Sequence, residues 1–287
     1  MAGMRDGHTH THYCRHGSGE PTAAYIERAI ALGFDTYTVS EHPPLPATFI
    51  ARCPYPPGAL DEIPMGEDQL DDYVRDMRTL QARYRDRIRV LIGLEVDYLP
   101  GDEAWTRALL REYGPFLDDA LLSVHFMPGA GGVRCVDMAP TDVVEGLVRH
   151  YGGFHAFQRA YYELVLEAVR CDLGPHKPTR IGHLSLCDKF RRRFPEAGEP
   201  SPVVEAAIAA VLDEVAARGY ALDANMAGLF KELCCQPYPP PDVLAAARAR
   251  GIPLVYGSDA HAVAEVGRAH DVFVRLGRPD EPGPTPR

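Results

Sequence analysis

The chain reads as an α/β protein, a TIM-like (β/α)7 barrel with a metal site at the C-terminal ends of its strands. Three observations carry that reading. Short apolar runs alternate with amphipathic segments along the length, the pattern of parallel strands joined by right-handed crossovers. Six of the seven runs end in residues that can hold a metal: His8 and His10, His42, Glu95, His125, His183, and Asp259 with His261. A length of 287 residues suits one such barrel, whose chemistry collects at the strand C-termini.

The first strand runs out at Asp6-Gly7-His8-Thr9-His10. Residues i and i+2 of a strand share a face, so His8 and His10 can grip one ion, and neutral imidazole is the commonest metal ligand. His12 and His16 follow, His12 as pocket wall or support and His16 as a further ligand candidate. Pro21 opens a helix from its first turn. Ala23, Ile26, Ala29 and Ile30 form its apolar stripe, and Gly33 ends it. Residues 34–39 alternate like a strand and lead into Ser40-Glu41-His42. Residues 43–66 carry repeated prolines and read as a long loop. A charged helix is expected near 67–86, then a strand over 89–96 carrying Glu95, and a helix near 102–113. Strand 120–124 ends at His125.

A glycine-rich loop at 129–132 precedes helices near 141–150 and 154–172. Strand 179–182 ends at His183. Val204, Ile208, Val211, Leu212 and Val215 mark the next buried helix face. Strand 220–224 ends in Asn225, the one strand end without an imidazole or carboxylate. Helix 241–250 is capped by Gly251, and strand 252–256 leads to Ser258-Asp259-Ala260-His261. A final helix is expected over 263–276. The proline-rich tail 279–287 is expected to be disordered, leaving 1–278 as one domain. His150, His155, His176 and His270 fall outside the strand-end pattern and read as ordinary histidines.

The net charge of −10 argues against a nucleic-acid partner, which needs a basic footprint. A small phosphorylated substrate remains compatible, because local cations reverse the sign inside a pocket. Seven cysteines with no CxxC pair read as reduced thiols of a cytoplasmic protein. No signal-peptide pattern precedes the histidine cluster. No apolar run approaches the roughly 20 residues of a membrane span, so no membrane association is expected. The sequence leaves a homo-oligomer open.

The ordered set His8-x-His10 with His16, Glu41-His42, Gly93-Leu94-Glu95, Ser123-Val124-His125, Gly182-His183 and Asp259-x-His261 resembles the polymerase and histidinol phosphatase (PHP) family of metal-dependent phosphoesterases. Stretches 6–11, 15–17, 93–98, 113–126 and 225–229 are most similar to its histidinol-phosphate phosphatases. The resemblance implies a distorted (β/α)7 barrel with up to three divalent ions (Zn, Fe or Mn). It implies one ion on His8, His10, Glu95 and Asp259, a second on Glu95, His125 and His183, and a third on His16, His42 and His261.

The reaction so implied is hydrolysis of L-histidinol phosphate to L-histidinol and phosphate, in histidine biosynthesis, by in-line attack of a metal-bridging hydroxide. Glu95 and Asp259 are then catalytic, with His12 a candidate leaving-group acid. Lys189 is the first candidate for holding phosphate. Many relatives carry Arg where this chain has Phe230, which brings Lys231 forward as a second. Ser185 stands where some relatives have Asp, which makes Glu41 the candidate partner for the substrate amine. The alternatives are a PHP phosphoesterase acting on another phosphorylated metabolite or a nucleotide, and a non-catalytic metal-binding protein.

Overall fold

The computed structural model describes residues 3–199 and 201–277. Seven strands form one parallel sheet in the order β1 (Arg5–Asp6), β2 (Thr36–Glu41), β3 (Arg89–Asp97), β4 (Asp119–Ser123), β7 (Arg180–Ile181), β8 (Ala221–Asn225), β9 (Leu254–Gly257). The first and last strands meet. Gly7 N–H donates to the Tyr256 carbonyl at 2.8 Å, Asp259 N–H to His8 at 2.7 Å, and His10 N–H to Ala260 at 2.9 Å. These bonds close the sheet into the expected distorted TIM-like barrel. The seam lies at the very residues that carry the two most distant ligand motifs.

β3, paired between β2 and β4 in the barrel wall, shows how the site is placed. Val90, Ile92, Leu94 and Val96 join the main apolar core, while the alternate residues Glu95 and Asp97 turn into the barrel mouth, as a two-residue period requires. Helices Thr22–Ala31, Leu70–Tyr84, Glu103–Tyr113, Phe154–Arg170, Pro202–Ala217, Pro241–Ala249 and His270–Leu276 intervene. Arg180, 4% exposed, lies inside the barrel and pairs with Asp119, which also takes Arg5 and Thr38. Lys177 caps helix Phe154–Arg170, its Nζ donating to the carbonyls of Ala168, Val169 and Cys171 at 2.7–2.9 Å. Among the described residues no helix is long and apolar enough to cross a membrane.

Four local expectations change. The glycine-rich stretch 129–132 is the turn of an antiparallel hairpin, β5 (Phe126–Gly129) with β6 (Gly132–Cys135). Its strands are too short for periodicity to separate from loop. Loop 43–66 packs down: it holds the short helix Ala47–Ile50, and Phe49 meets Phe126 edge-on at 5.2 Å in a second small core with Leu45, Leu60 and Leu99. The helix expected near 141–150 widens to π geometry over Val144–Val148. The final helix is split, with a 3-10 turn at Val263–Glu265 and an α-helix only from His270. Gly267 and Ala269 take left-handed backbone (φ +76° and +53°) between them, which no α-helix accommodates. The expected disorder of 279–287 falls outside the described residues.

Asp188 offers a clean pH test of this packing. It is buried and accepts a bond from Gln158 Nε2 at 2.7 Å. Burial pushes its carboxyl up to about 6. A raised acid binds its proton more tightly in the folded state, so stability falls as pH rises from about 4 to 6. Asp188→Asn removes that dependence. Its stability relative to the parent should rise by about 3 kcal/mol between pH 4 and pH 7, measured by urea unfolding at both values.

Candidate metal centre

Glu95 is 1% exposed and stands at the middle of the barrel mouth. Its Oε1 lies 2.6 Å from His183 Nε2 and 3.5 Å from His125 Nε2. Its Oε2 lies 3.1 Å from His8 Nε2 and 3.5 Å from both His10 Nε2 and His42 Nδ1. Burial pushes the Glu95 carboxyl up, but the surrounding imidazoles of His8, His42, His125 and His183 outweigh it and hold it well below the usual range. Burial likewise opposes charge on His10 and His125. Asp259 and Glu41 for His10, and Asp97 and Glu95 for His125, raise them to about 9 and about 10. Burial lowers His42 and His261, and neighbouring imidazoles add to it.

The ligand atoms gather in three groups, each within 4.8 Å: His8, His10 and Glu95; Glu95, His125 and His183; His16, His42 and His261. Asp259 Oδ1 reaches His10 Nε2 at 3.2 Å and His8 Nε2 at 3.7 Å. All nine expected ligands therefore converge. Cys14 forms a further group with His10 and His261. Divalent cations fit this arrangement. His10 Nε2, His42 Nδ1 and His261 Nε2 are buried without hydrogen-bond partners, a costly condition for polar atoms, and the mixed nitrogen and carboxylate donors suit Zn, Fe or Mn.

Behind the imidazoles stand carboxylates that sequence reasoning missed. Asp223 Oδ2 accepts from His8 Nδ1 at 2.7 Å, and Asp97 Oδ1 from His125 Nδ1 at 2.7 Å. Such partners fix the tautomer, leaving the other nitrogen for a metal. Signals for both existed: Asp97 lies two residues past Glu95 on the same strand face, and Asp223 interrupts an otherwise apolar strand. Two glycines make room. A Cβ at Gly257 would stand 2.8 Å from His8 Cβ and closer still to Asp223 Oδ1, and one at Gly182 would overlap Ser123 Oγ, which donates to Glu95 Oε1 at 2.8 Å.

The supporting residues land differently from expectation. Glu41 is fully buried behind His10. It accepts from His10 Nδ1 at 3.1 Å and from Thr11 N and Oγ1 at 2.9 and 2.7 Å, so it orients a ligand and does not face the pocket. His12 is exposed, with Nδ1 2.9 Å from Thr22 Oγ1, and is absent from the pocket wall. β1 ends at Asp6, pairing with the last strand end continues through Thr9 and His10 to Ala260, and the turn at 12–13 swings His12 outward.

Lys189 and Lys231 do line the pocket, a cavity of about 460 Å³. Lys189 Nζ is tied to Asp137 Oδ2 at 2.8 Å and to its carbonyl at 3.0 Å. Arg268, Glu265, Asp137, Tyr238 and Ile63 complete much of the wall. None of these five was singled out by the sequence.

The PHP domain model matches residues 6–227, and a PHP-associated model matches 242–281. The histidinol-phosphatase of Bacillus subtilis is 35% identical over 270 residues, covering 94% of this chain and 98% of that protein. A protein of Deinococcus radiodurans named "Probable histidinol-phosphatase" is 36% identical over 267 residues, covering 93% and 90%. A Listeria monocytogenes structure, named as that of the "putative histidinol phosphatase hisK", aligns with TM-score 0.91 at 42% identity over 94% of this chain and 99% of that one. Histidinol phosphate phosphatase from Lactococcus lactis, solved with Zn, L-histidinol and phosphate, shares the fold at TM-score 0.65 and 19% identity, over 96% and 94%.

If the buried carboxylates hold the ligand imidazoles, Asp223→Asn and Asp97→Asn should each weaken divalent-ion affinity about 10–100-fold. Competition of Zn against a chromophoric chelator measures this. Unchanged affinity in both variants would remove the orienting role.

Proposed function

We propose that this chain, which belongs to the PHP domain family, is a histidinol-phosphatase, a phosphoric monoester hydrolase converting L-histidinol phosphate to L-histidinol and phosphate. The observation that carries the reading is the sharing of Glu95 by two ligand groups in a pocket also lined by Lys189, Lys231 and Arg268. It stands on a chain matched over nearly its whole length by curated histidinol-phosphatases. The activity places the protein in histidine biosynthesis.

In this reading up to three divalent ions are held. One uses His8, His10, Glu95 and Asp259, a second Glu95, His125 and His183, and a third His16, His42 and His261. When bound, the ions activate a water and neutralise charge on the phosphoryl oxygens, as hydrolysis of a slow monoester requires. Zn, Fe and Mn all suit the donor set.

The protein's own groups do the rest. Asp223, Glu41 and Asp97 hold His8, His10 and His125 in single orientations. Lys231, exposed and without an ion-pair partner among the described residues, offers a cation to the phosphate. Lys189 is half committed to Asp137, so it contributes a fixed dipole more than a free charge. Asp137 and Glu265 replace Glu41 as the acidic wall facing the cationic end of the substrate. His12 takes no part in proton transfer. The free state of all seven cysteines supports a reducing, cytoplasmic setting. We treat 1–278 as one unit, because β9, within the PHP-associated stretch, supplies the seventh strand.

Phosphate release is measured from L-histidinol phosphate, p-nitrophenyl phosphate and a mononucleotide, with Mn, Zn or Fe restored. The kcat/KM for histidinol phosphate should exceed the others by at least about 100-fold. Comparable low rates on all three would transfer the site to another phosphorylated metabolite. Glu95→Ala should abolish turnover and, by metal analysis, lose two ions; retention of both would remove the bridging assignment.

A further inference from the structure

We propose that Arg268 is a phosphate-binding residue of this pocket, held in place by the exposed ring of Phe230. The proposal rests on the phosphatase reading above and names a contact within it. Arg268 comes from the break in the final helical segment, between Gly267 and Ala269. Its side chain is only 11% exposed, yet it lines the cavity beside Lys231, Asp259 and His261.

Its donors can be counted. A guanidinium carries five N–H groups in a rigid fork. Nε donates to the Ser258 carbonyl and Nη2 to the Asp259 carbonyl, each at 2.8 Å, while Nη1 forms an ion pair with Glu265 Oε1 at 2.9 Å. Two N–H are thereby spent in hydrogen bonds, leaving one on Nη2 and two on Nη1. Two donors on one planar group suit a phosphate, which accepts such paired bonds well. The two bonds anchor the group to the Ser258 and Asp259 carbonyls, and the Asp259 carboxylate itself reaches His8 and His10. The cation is therefore fixed beside the ligand cluster instead of swinging in from solvent.

Phe230 explains how the group is kept there. Its ring is 57% exposed, an unusual state for Phe. The Arg268 guanidinium carbon lies 5.3 Å from the ring centroid, within cation–π range. Phe230 is thus an aromatic platform for an arginine that arrives from the break in the final helical segment. Lys189 fits the role less well, because two of its three donors go to Asp137.

The test uses the full chain loaded with Mn, and inorganic phosphate as probe. In Arg268→Gln the calorimetric Kd for phosphate should rise about 10–100-fold, and KM should rise similarly for both p-nitrophenyl phosphate and histidinol phosphate. Ion content by mass spectrometry should be unchanged. Arg268→Lys should recover part of the loss. Phe230→Leu, which leaves every Arg268 hydrogen bond in place, should weaken phosphate about 3–10-fold with full ion content, and it carries the test if Arg268→Gln does not fold. Phosphate affinity within twofold of the parent overturns the proposal. So does loss of ions in step with phosphate, which would make Arg268 a positioning residue acting through Asp259. Neither readout needs histidinol, so failure of the substrate assignment shows separately, as parent enzyme indifferent to histidinol phosphate.

Discussion

A carboxylate taken out of water costs several kcal/mol unless charge and hydrogen bonds compensate it. Glu95 is almost fully buried and has five imidazoles within 3.5 Å. Those imidazoles come from four separate strand ends. His8 and His10 follow β1, His42 follows β2, His125 follows β4 and His183 follows β7. The barrel has to bring all four ends to one point for Glu95 to be tolerable at all. Divalent cations then supply the compensation that clustered imidazoles give only by taking up protons against their own burial.

The second constraint is directional. An imidazole gives a metal one nitrogen, so something must occupy the other. Here the partners are Asp223, Glu41, Asp97, and for His16 and His261 the carbonyls of Glu62 and Asp259. Asp259 itself takes left-handed backbone at φ +52°, a state that costs a non-glycine residue about 1–3 kcal/mol. It is held there by its N–H to His8 and by Arg268 on its carbonyl. This strain falls on the residue where the last strand turns into the site.

Much of this was readable from residue order. Strand-end histidines recur with a regularity that packing alone does not produce, and the two-residue period put His8 with His10 on one face. The longest elements were legible because their apolar stripes run for several turns. What escaped was set by the third dimension. Glu41 sits next to a ligand in sequence, but buried behind another one. His12 follows the HxH spacing by two residues, yet the strand has already ended. Arg268 lies in a stretch that looks helical until Gly267 and Ala269 break it, and nothing local announces that its side chain returns to the barrel mouth. The hairpin at 126–135 was hidden by its brevity.

The seam between the first and last strands has a consequence for how the protein is made. The ligand residues run from His8 to His261, so during synthesis the chain cannot assemble the whole centre while its last strand is still inside the ribosome. The group of Glu95, His125 and His183 can meet earlier, once β7 has emerged. His8 and His10 then wait beside an open edge until β9 arrives and supplies Asp259. Full loading with metal therefore waits for the last strand, and the ions report that it has docked.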